Sequence, residues 1–533
     1  MTQLIEQFMN RESVLGFSPQ RWRERAAALL PQIRHWPVEP IGMVRPESDD
    51  RAWQGWRMVP EAPETVLRER KWHSGDSFFL DFGETLVGRL QLGFLVPAGY
   101  CDSPVRLRLM AGELPYETVI PPDPFESGLS RSWLQDEVIN FDVPVSDFTL
   151  PRRYSLRYLK VEIVATPRAG LTFSLIRLIA ESAAGELPPP LPELPPDLRR
   201  IDRVGLRTLR NCMQLCFEDG PKRDRRLWLG DLFLQAKVNA VSFRRFDLVE
   251  RSIFLLASGV DAEGRVPSCV FEHPHPVGGG YIPDYALLLA PLLLEHGRFS
   301  GNWEPAQSLF FLAAHQFELL RGCFDRRGIF QDPGKWWLFV DHQQSLDRQL
   351  SIQMIYIYGL RALCELAERC GETESVPAWR REIDRLGVAA RQFCYDPAIG
   401  VMRSGASGQI SYASQIWAIL AGVLSLGEGR RALDELIRRP DAVRPVSPYL
   451  QHFLLEAYEI CRQPEKVQAL IRSYWGGMVK YGADTFWEVF DPENPFVSPY
   501  GEVRSNSACH AWSCTPSYFL RRNLIGSEAG SVE

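Results

Sequence analysis

The sequence has no Cys-x-x-Cys pair and no dense set of histidines that would indicate a metal centre. Its eleven cysteines are odd in number, and several of them lie in apolar helical patterns. Buried free thiols in a reducing cytoplasm are therefore the prediction. His273 and His275 flank a proline, but no third ligand accompanies them, so we predict no metal and no organic cofactor.

A long hydrophobic run is also lacking. The most apolar stretch, residues 285–294, is too short to span a membrane and is followed by Glu295 and His296. No basic segment precedes an apolar core at the N-terminus, so we expect a cytoplasmic protein without a signal peptide. The net charge of −6, and the interruption of the basic run 222–226 by Asp224, argue against a nucleic-acid partner.

Residue patterns divide the chain into segments. Residues 1–50 contain a short amphipathic helix and a proline-containing stretch of no evident role. Between residues 51 and 185, apolar and polar residues alternate between turns, which predicts a β-sandwich. Residues 186–197 are rich in proline and predict a stiff linker, and residues 526–533 form a C-terminal tail.

Residues 198–525 change to a helical period. Apolar residues recur at three-to-four spacing in about twelve segments, which predicts six helical hairpins closed into an (α/α)6 toroid. A solenoid of helix pairs is the competing architecture, but no repeat consensus is visible. In a toroid, the loops at one end of the inner helices line a central cavity, and a substrate site is expected there.

The segment 218–231 holds three aspartates, Asp219, Asp224 and Asp231, together with Trp228. Its Gly-Pro pair disfavours a helix, so the first part is predicted to be a loop. Acids accept hydrogen bonds from hydroxyl groups, an indole packs on a sugar face, and one acid can move a proton. The segment therefore has the composition of a site for a neutral polyol.

A second acid, Glu488, follows Trp487 in a stretch predicted to be a loop or short extended structure. His510 and Trp512 lie shortly after it. Ring closure of the toroid would bring this late segment next to Asp224, and a glycosidase needs two such acids.

Taken together, the phrases Asp219-Gly-Pro-Lys-Arg-Asp224, Trp228-Leu-Gly-Asp231, Thr485-Phe-Trp-Glu488 and His510-Ala-Trp512 resemble the bacterial α-L-rhamnosidases of glycoside hydrolase family 78. The resemblance covers roughly residues 50–525. It implies Asp224 as general acid and Glu488 as general base of an inverting reaction. It implies sugar-binding roles for the other candidates, which are Asp219, Asp231, Trp228, His510, Arg223, Trp487 and Trp512.

The sequence departs from the common family pattern at three places. Gly220 stands where many members have cysteine, Asp224 where many have glutamate, and Leu229 in a phrase that often reads Gly-Trp-Thr-Gly-Asp. The acid is thus one methylene shorter, and it would serve if its backbone lay closer to the substrate.

Arg223 and Arg225 flank Asp224 in the sequence. A guanidinium against this carboxylate would lower its pKa and count against an acid role, so we expect both side chains to point away or to pair with Asp219 and Asp231.

Several of these residues would also fit a purely structural role. Asp231 could be only a helix N-cap, Asp219 and Glu488 ordinary acids outside a site, and His510 a core histidine. The pairs Trp336-Trp337, Asp341-His342 and Asp284-Tyr285 either line the cavity or belong to the core, and the Asp81-Phe82-Gly83 turn is predicted to be structural.

The resemblance, together with the two acids, implies an exo-acting, inverting glycosidase that removes terminal α-L-rhamnose from small glycosides, with acid and base about 6.5–9.5 Å apart. Its partner is expected to be a small-molecule glycoside, without nucleic acid or membrane. The resemblance and the apolar content together suggest a homodimer. The alternatives are a six-hairpin glycosidase or lyase acting on another sugar, such as an unsaturated uronide or a trehalose-like substrate, and a non-catalytic sugar-binding protein.

Overall fold

The computed structural model describes residues 15–97, 101–274 and 276–528. His275, residues 1–14 of the predicted N-terminal segment and residues 529–533 of the predicted tail lie outside the described residues. A short helix, Pro19–Ala28, precedes the first strand and packs on a helix of the second domain, Phe246–Ser258.

Among the residues that the structure describes, nine antiparallel strands form the first domain. They are β1 Arg34–Val38, β2 Gly42–Ser48, β3 Trp56–Ala62, β4 Ser77–Leu95, β5 Val105–Gly112, β6 Asp136–Phe141, β7 Phe148–Thr149, β8 Tyr154–Ala165 and β9 Thr172–Ser182. Hydrogen bonds connect them in the order β1-β9-β4-β8-β5-β6, while β2 joins β3 to β4 and β7 adds to β4.

Strand β4 belongs to both layers of the domain. Its register shifts between Asp81 and Leu86; the part before the shift pairs with β2 and β8, and the part near its end pairs with β9 and β7. The two layers face each other through ring contacts such as that of Phe78 in β4 with Phe173 in β9, with centroids 5.4 Å apart. Apolar residues alternating along the strands fill the space between the layers, as the sequence pattern predicts.

The sheet begins earlier than the predicted boundary at residue 51, because β1 pairs with β9 and β2 pairs with β3 and β4. Pro37 obscures β1 in the sequence, since proline is unfavourable in a central strand. It is accommodated here because β1 lies at the edge of the sheet.

In the described part of the chain, twelve helical segments form the second domain. They are Pro196–Cys212, Leu229–Ala240, Phe246–Ser258, Leu289–Ser300, Glu304–Arg321, Gln349–Cys370, Val376–Cys394, Tyr412–Leu420, Leu426–Ile437, Pro448–Ile460, Pro464–Leu470 with its continuation to Lys480, and Pro516–Glu528. Short elements lie between or before them: helices Val66–Glu69, Pro115–Val119 and Pro283–Ala286, a small sheet of β10 Leu227–Trp228, β11 Cys269–Phe271 and β12 Val277–Gly279, and a hairpin of β13 Tyr395–Asp396 and β14 Val401–Met402.

Inner and outer helices alternate along the chain. The inner helix Leu229–Ala240 buries eleven of its twelve residues, whereas the outer helix Leu426–Ile437 buries four of twelve. The last helix, Pro516–Glu528, contacts the first two, and Arg521 pairs with Asp202 at 2.6 Å. The helices therefore close into a ring, which confirms the toroid and rules out the open solenoid.

Buried charges connect the inner helices. Lys237 Nζ lies 2.6 Å from Glu295 and 3.1 Å from Glu456, and His452 lies 3.3 Å from Glu456. These four residues come from three inner helices. Such a cluster specifies which helices meet, and breaking it leaves an uncompensated buried charge.

The two domains are connected by the proline-rich stretch, which has no regular structure until a helix begins at Pro196. Proline at a helix start costs no hydrogen bond, because the first amide has no partner within the helix. The carbonyl of Pro189 accepts a hydrogen bond from Arg521, so the stretch lies against the helical domain. No helix of the described residues is long and apolar enough to cross a membrane.

Candidate active site

Two loop segments meet at one end of the ring. The first follows helix Pro196–Cys212 and carries Asp219 and Asp224, with Asp231 in the first turn of the next helix. The second precedes helix Pro516–Glu528 and carries Glu488 and His510. Between them lies a cavity of about 200 Å³. Its lining residues are Asp219, Arg223, Asp224, Arg226, Trp228, Asp231, Ile282, Tyr285, Trp337, Phe339, His342, Glu488, Tyr500, His510 and Trp512.

Glu488 is fully buried and well supplied with donors. Its Oε2 accepts from the backbone N–H of Ser507 at 3.0 Å and from Arg223, and its Oε1 accepts from the Tyr500 hydroxyl at 2.6 Å. Burial alone would raise the pKa of Glu488, but the charge and hydrogen bond of Arg223, together with the charge of His510, outweigh it and lower the pKa to about 2. The carboxylate is therefore ionised at neutral pH.

Arg223 connects the two acids. Its Nη1 donates to Asp224 at 2.9 Å, its Nη2 to Glu488, and its Nε to the Ser505 carbonyl at 2.6 Å. The guanidinium also lies over the Tyr500 ring, 4.4 Å from the centroid. Burial would lower the pKa of Arg223, but the neighbouring carboxylates raise it well above its usual value.

The expected orientation of the arginines is wrong for Arg223 and holds for Arg225. Arg225 turns away and donates to the carbonyls of Pro221 and Arg153. Arg226, for which the sequence predicted no role, lies 3.3 Å from Asp224 on its other oxygen. Two guanidinia thus contact Asp224, one on each of its carboxylate oxygens.

Asp219 holds the backbone of the acidic loop, by which we mean residues 219–226. Its two oxygens accept from the backbone N–H groups of Asp224 at 3.2 Å and Arg226 at 3.1 Å. Burial, together with the charge of Asp224, raises the pKa of Asp219 to about 7. The bonds to its own loop and its place in the cavity wall make Asp219 part of the site.

Gly220 lets this loop lie directly on the second segment. A β-carbon at this position would fall 2.6 Å from Ser507 Oγ and would also collide with the carbonyl of Arg223. The glycine therefore permits an approach that cysteine, common at this position in the family pattern, would prevent here.

Asp231 and His510 form a buried pair, with Oδ1 and Nε2 3.2 Å apart. The helix begins at Leu229, and Asp231 lies in its first turn without acting as N-cap. Burial raises the pKa of Asp231, and the carboxylates of Asp231 and Glu488 raise the pKa of His510 against the effect of its burial. Both side chains line the cavity, so neither is only a cap or a core residue.

The predicted aromatic residues separate into two groups. Trp228 and Trp512 line the cavity, and the Trp512 indole donates to the Glu488 carbonyl at 3.0 Å. The predicted sugar-binding role of Trp487 is wrong. Its ring packs against that of Trp53, with centroids 4.8 Å apart, and it is not among the residues that line the cavity. Neighbouring side chains of this stretch point to opposite sides, so only Glu488 of the pair reaches the site.

The structure also shows which residues of the pairs Trp336-Trp337, Asp341-His342 and Asp284-Tyr285 line the cavity. Tyr285, Trp337 and His342 line the cavity, whereas Asp284 and Asp341 position its loops. Asp284 accepts from the backbone N–H groups of Phe339 and Val340, and Asp341 from those of Val446 and Ser447. Burial lowers the pKa of His342 to about 4, so its ring is neutral at physiological pH.

Four lining residues were missed entirely: Ile282, Phe339, Tyr500 and Arg226. Tyr500 lies twelve residues after Glu488, in a loop rich in proline and glycine that carries no motif of its own. Only Arg226 had a sequence signal, as part of the basic run beside Asp224. Among the described residues, no group of three His, Cys, Asp or Glu side chains is placed to hold a metal ion.

The arrangement offers one ionised carboxylate, a second carboxylate held apart from it by a guanidinium, and an aromatic wall. Such a cavity can bind a small polyhydroxylated ring, donate a proton to an oxygen leaving from it and activate a water molecule.

Comparison with known proteins agrees with this chemistry. Residues 40–180 match the model of the glycosyl hydrolase family 78 alpha-rhamnosidase N-terminal domain, and residues 195–524 match that of the bacterial alpha-L-rhamnosidase 6 hairpin glycosidase domain. A search of the curated proteins gives no match.

Solved structures extend the likeness to the whole chain. A rhamnosidase from Klebsiella oxytoca with rhamnose bound is 40% identical, with a TM-score of 0.91 over 95% of this chain and 98% of its own. A family 78 rhamnosidase of Bacillus sp. GL1 is 20% identical, with a TM-score of 0.71 over 83% of this chain and 46% of its own. The α-L-rhamnosidase of Streptomyces avermitilis, complexed with L-rhamnose, is 13% identical, with a TM-score of 0.66 over 93% and 44%. The last two similarities show the fold alone.

Proposed function

Because this chain belongs to glycoside hydrolase family 78 of α-L-rhamnosidases and is thus a glycoside hydrolase, we propose that it removes terminal α-L-rhamnose from small glycosides with inversion at the anomeric carbon. The observation that carries the proposal is the pair of carboxylates, Asp224 and Glu488, on either side of one guanidinium in the cavity wall. A cavity of about 200 Å³ suits one sugar ring better than a polymer.

Glu488 acts as the general base. Its Oε2 is occupied by Arg223 and the Ser507 amide, whereas Oε1 accepts only from Tyr500 and keeps room for a second donor. A water molecule at Oε1 loses its proton to Glu488 as its oxygen attacks the anomeric carbon. Inversion requires that this water fit between the acids, and the Arg223 guanidinium keeps them from closing on each other.

Asp224 acts as the general acid and protonates the glycosidic oxygen as the bond to carbon breaks. Its two oxygens contact two guanidinia, that of Arg223 at 2.9 Å and that of Arg226 at 3.3 Å. The contact to Arg226 is the longer one and lies on the oxygen that Arg223 does not contact. We propose that the glycoside enters at this side and displaces Arg226.

The neighbouring side chains bind the sugar. Asp219, Asp231 and His510 present polar atoms to the cavity, and Trp228, Tyr285 and Trp512 form its apolar part. A 6-deoxy sugar has both hydroxyl groups and a methyl group, so it matches a wall of this mixed character.

The test is hydrolysis of a chromogenic α-L-rhamnoside beside a panel of other glycosides. We expect Asp224→Asn and Glu488→Gln each to lower kcat by about 10²–10⁴-fold. Asp384→Asn, an exposed carboxylate on an outer helix, serves as the control and should leave kcat unchanged. NMR of the first product should show the β-anomer; preference for another sugar, an unaffected kcat in either variant or a retained anomer would contradict the proposal.

We also place the protein in the cytoplasm, since all eleven cysteines lie in the described part of the chain and are free. The homodimer stays a prediction, to be measured by light scattering.

A further inference from the structure

A buried carboxylate of the β domain reaches the loops of the candidate active site. Glu113 follows β5 directly, and its side chain is completely buried at the boundary of the two domains. One oxygen accepts from the Ser155 hydroxyl of β8 at 2.6 Å. The other accepts from the backbone N–H of Ala508, in the helical domain, also at 2.6 Å.

Lys222 of the acidic loop joins the same cluster. It is 3% exposed, and its Nζ donates to the carbonyl of Asn506 at 2.6 Å and to Glu117 at 3.1 Å. The distance from Nζ to the Glu113 carboxylate is 3.7 Å. One ammonium and two carboxylates are thus buried together, and removing the ammonium would leave both carboxylates buried without a partner.

The segment that this cluster holds, residues 505–508, is also the one that orients Glu488. Asn506 and Ala508 bond to the cluster, whereas Ser505 and Ser507 bond to the catalytic side. The Ser507 amide donates to the Glu488 carboxylate at 3.0 Å, and the Ser507 carbonyl accepts from the Glu488 amide at 2.9 Å. Asn506 and Ala508 therefore bond to the buried cluster, and Ser507, which lies between them, bonds to the base.

A second contact from the β domain holds the other side of the base. The backbone N–H of Gly128 donates to the carbonyl of Tyr500 at 3.0 Å, and the Ser127 hydroxyl lies 2.7 Å from that of Ser505. Tyr500 is the residue whose hydroxyl donates to Glu488.

We propose that Glu113 is a positioning residue of the active site: through Ala508 and Lys222 it holds the loop that carries Asp224 in register with the segment that orients Glu488. Glu113, Glu117 and Lys222 do not line the cavity, so their effect passes through these backbone contacts. The β domain is then a working part of the catalytic geometry. The inference depends on the proposed function for its kinetic consequences only.

The test uses the full chain with Glu113→Gln, which keeps the shape of the side chain and removes its charge. Because a small displacement of catalytic groups costs up to about 10²-fold in rate, we expect kcat to fall about 10–100-fold with KM nearly unchanged. The acid limb of the pH profile should move to higher pH, since Glu488 loses part of its donor geometry. Hydrogen exchange of residues 505–510 should become faster.

The matched control is Asp484→Asn, which removes a charge from another, partly buried contact between the domains, to the backbone N–H and hydroxyl of Thr85. It should lower the melting temperature while kcat and the acid limb stay as in the parent. If Glu113→Gln behaves like this control, with unchanged kcat, pH profile and exchange, then Glu113 has a purely structural role and the inference is wrong.

Hydrogen exchange separates this inference from the proposed function. A parent that cleaves another glycoside, or none, contradicts the proposed function. Faster exchange in Glu113→Gln would still support the positioning role of Glu113 in that case, and unchanged exchange would overturn it.

Discussion

Replacing Arg223 by glutamine should move the acid limb of the pH–rate profile. The guanidinium is the largest favourable influence on the Glu488 carboxylate, which is otherwise penalised by complete burial. Glutamine keeps a donor near the base but removes the charge. Burial is then no longer compensated by Arg223, and the pKa of Glu488 should rise above that of a free glutamate.

The magnitude follows from the two pKa values. Glu488 stands at about 2, against 4.5 for a free side chain, and a difference of this size corresponds to about 3 kcal/mol. Because folding lowers this pKa, the ionised carboxylate adds stability above pH 4.5 that is lost as the pH falls towards 2. In Arg223→Gln this contribution should disappear, and the acid limb should shift upwards by more than about two pH units.

The assay is kcat/KM for a chromogenic rhamnoside between about pH 3 and pH 9, a range in which Glu488 of the parent stays ionised and the acid limb of the variant should come into view. Arg226→Gln is the matched control, because Arg226 contacts Asp224 and has no contact with Glu488. That variant should change the rate without moving the acid limb. An acid limb in Arg223→Gln that coincides with the parent's would contradict the role assigned to this guanidinium, whatever happens to the absolute rate.

Packing leads to three further predictions. Gly220→Ala should lower kcat by about 10²-fold, because its β-carbon would displace the acidic loop. Gly387→Ala is the control and should leave kcat unchanged, because a β-carbon there would meet only Val423 Cγ2 at 3.7 Å. Steady-state kinetics measures both. Lys237→Met should destabilise the fold by about 3–5 kcal/mol in denaturant unfolding, and a loss below about 1 kcal/mol would contradict the importance of the buried cluster. Trp512→Phe should weaken rhamnose binding in calorimetry, while Trp487→Phe should change stability and leave binding as it is.

The helical domain was predictable from local patterns. An outer helix such as Leu426–Ile437 buries one stripe of apolar residues, so a period of about 3.6 marks it, and an inner helix such as Leu229–Ala240 is buried on nearly all sides and is marked by a long apolar run. The acids Asp224 and Glu488 were also identifiable, since they stand in compact phrases beside tryptophans. The start of the sheet was not, because an edge strand with a proline has a weak pattern and is recognised only by its partner β9.

The sequence by itself determined which acids are present, their order and the two-domain architecture, because these depend on residue identity and on periodicity within a segment. The tertiary structure decided which charges meet. Arg223 connects Asp224 with Glu488 across 265 positions of chain, Trp487 turns into the core, and Glu113 reaches in from the β domain. Electrostatic interactions depend on distance in space and on burial, and neither can be read from neighbours in the sequence.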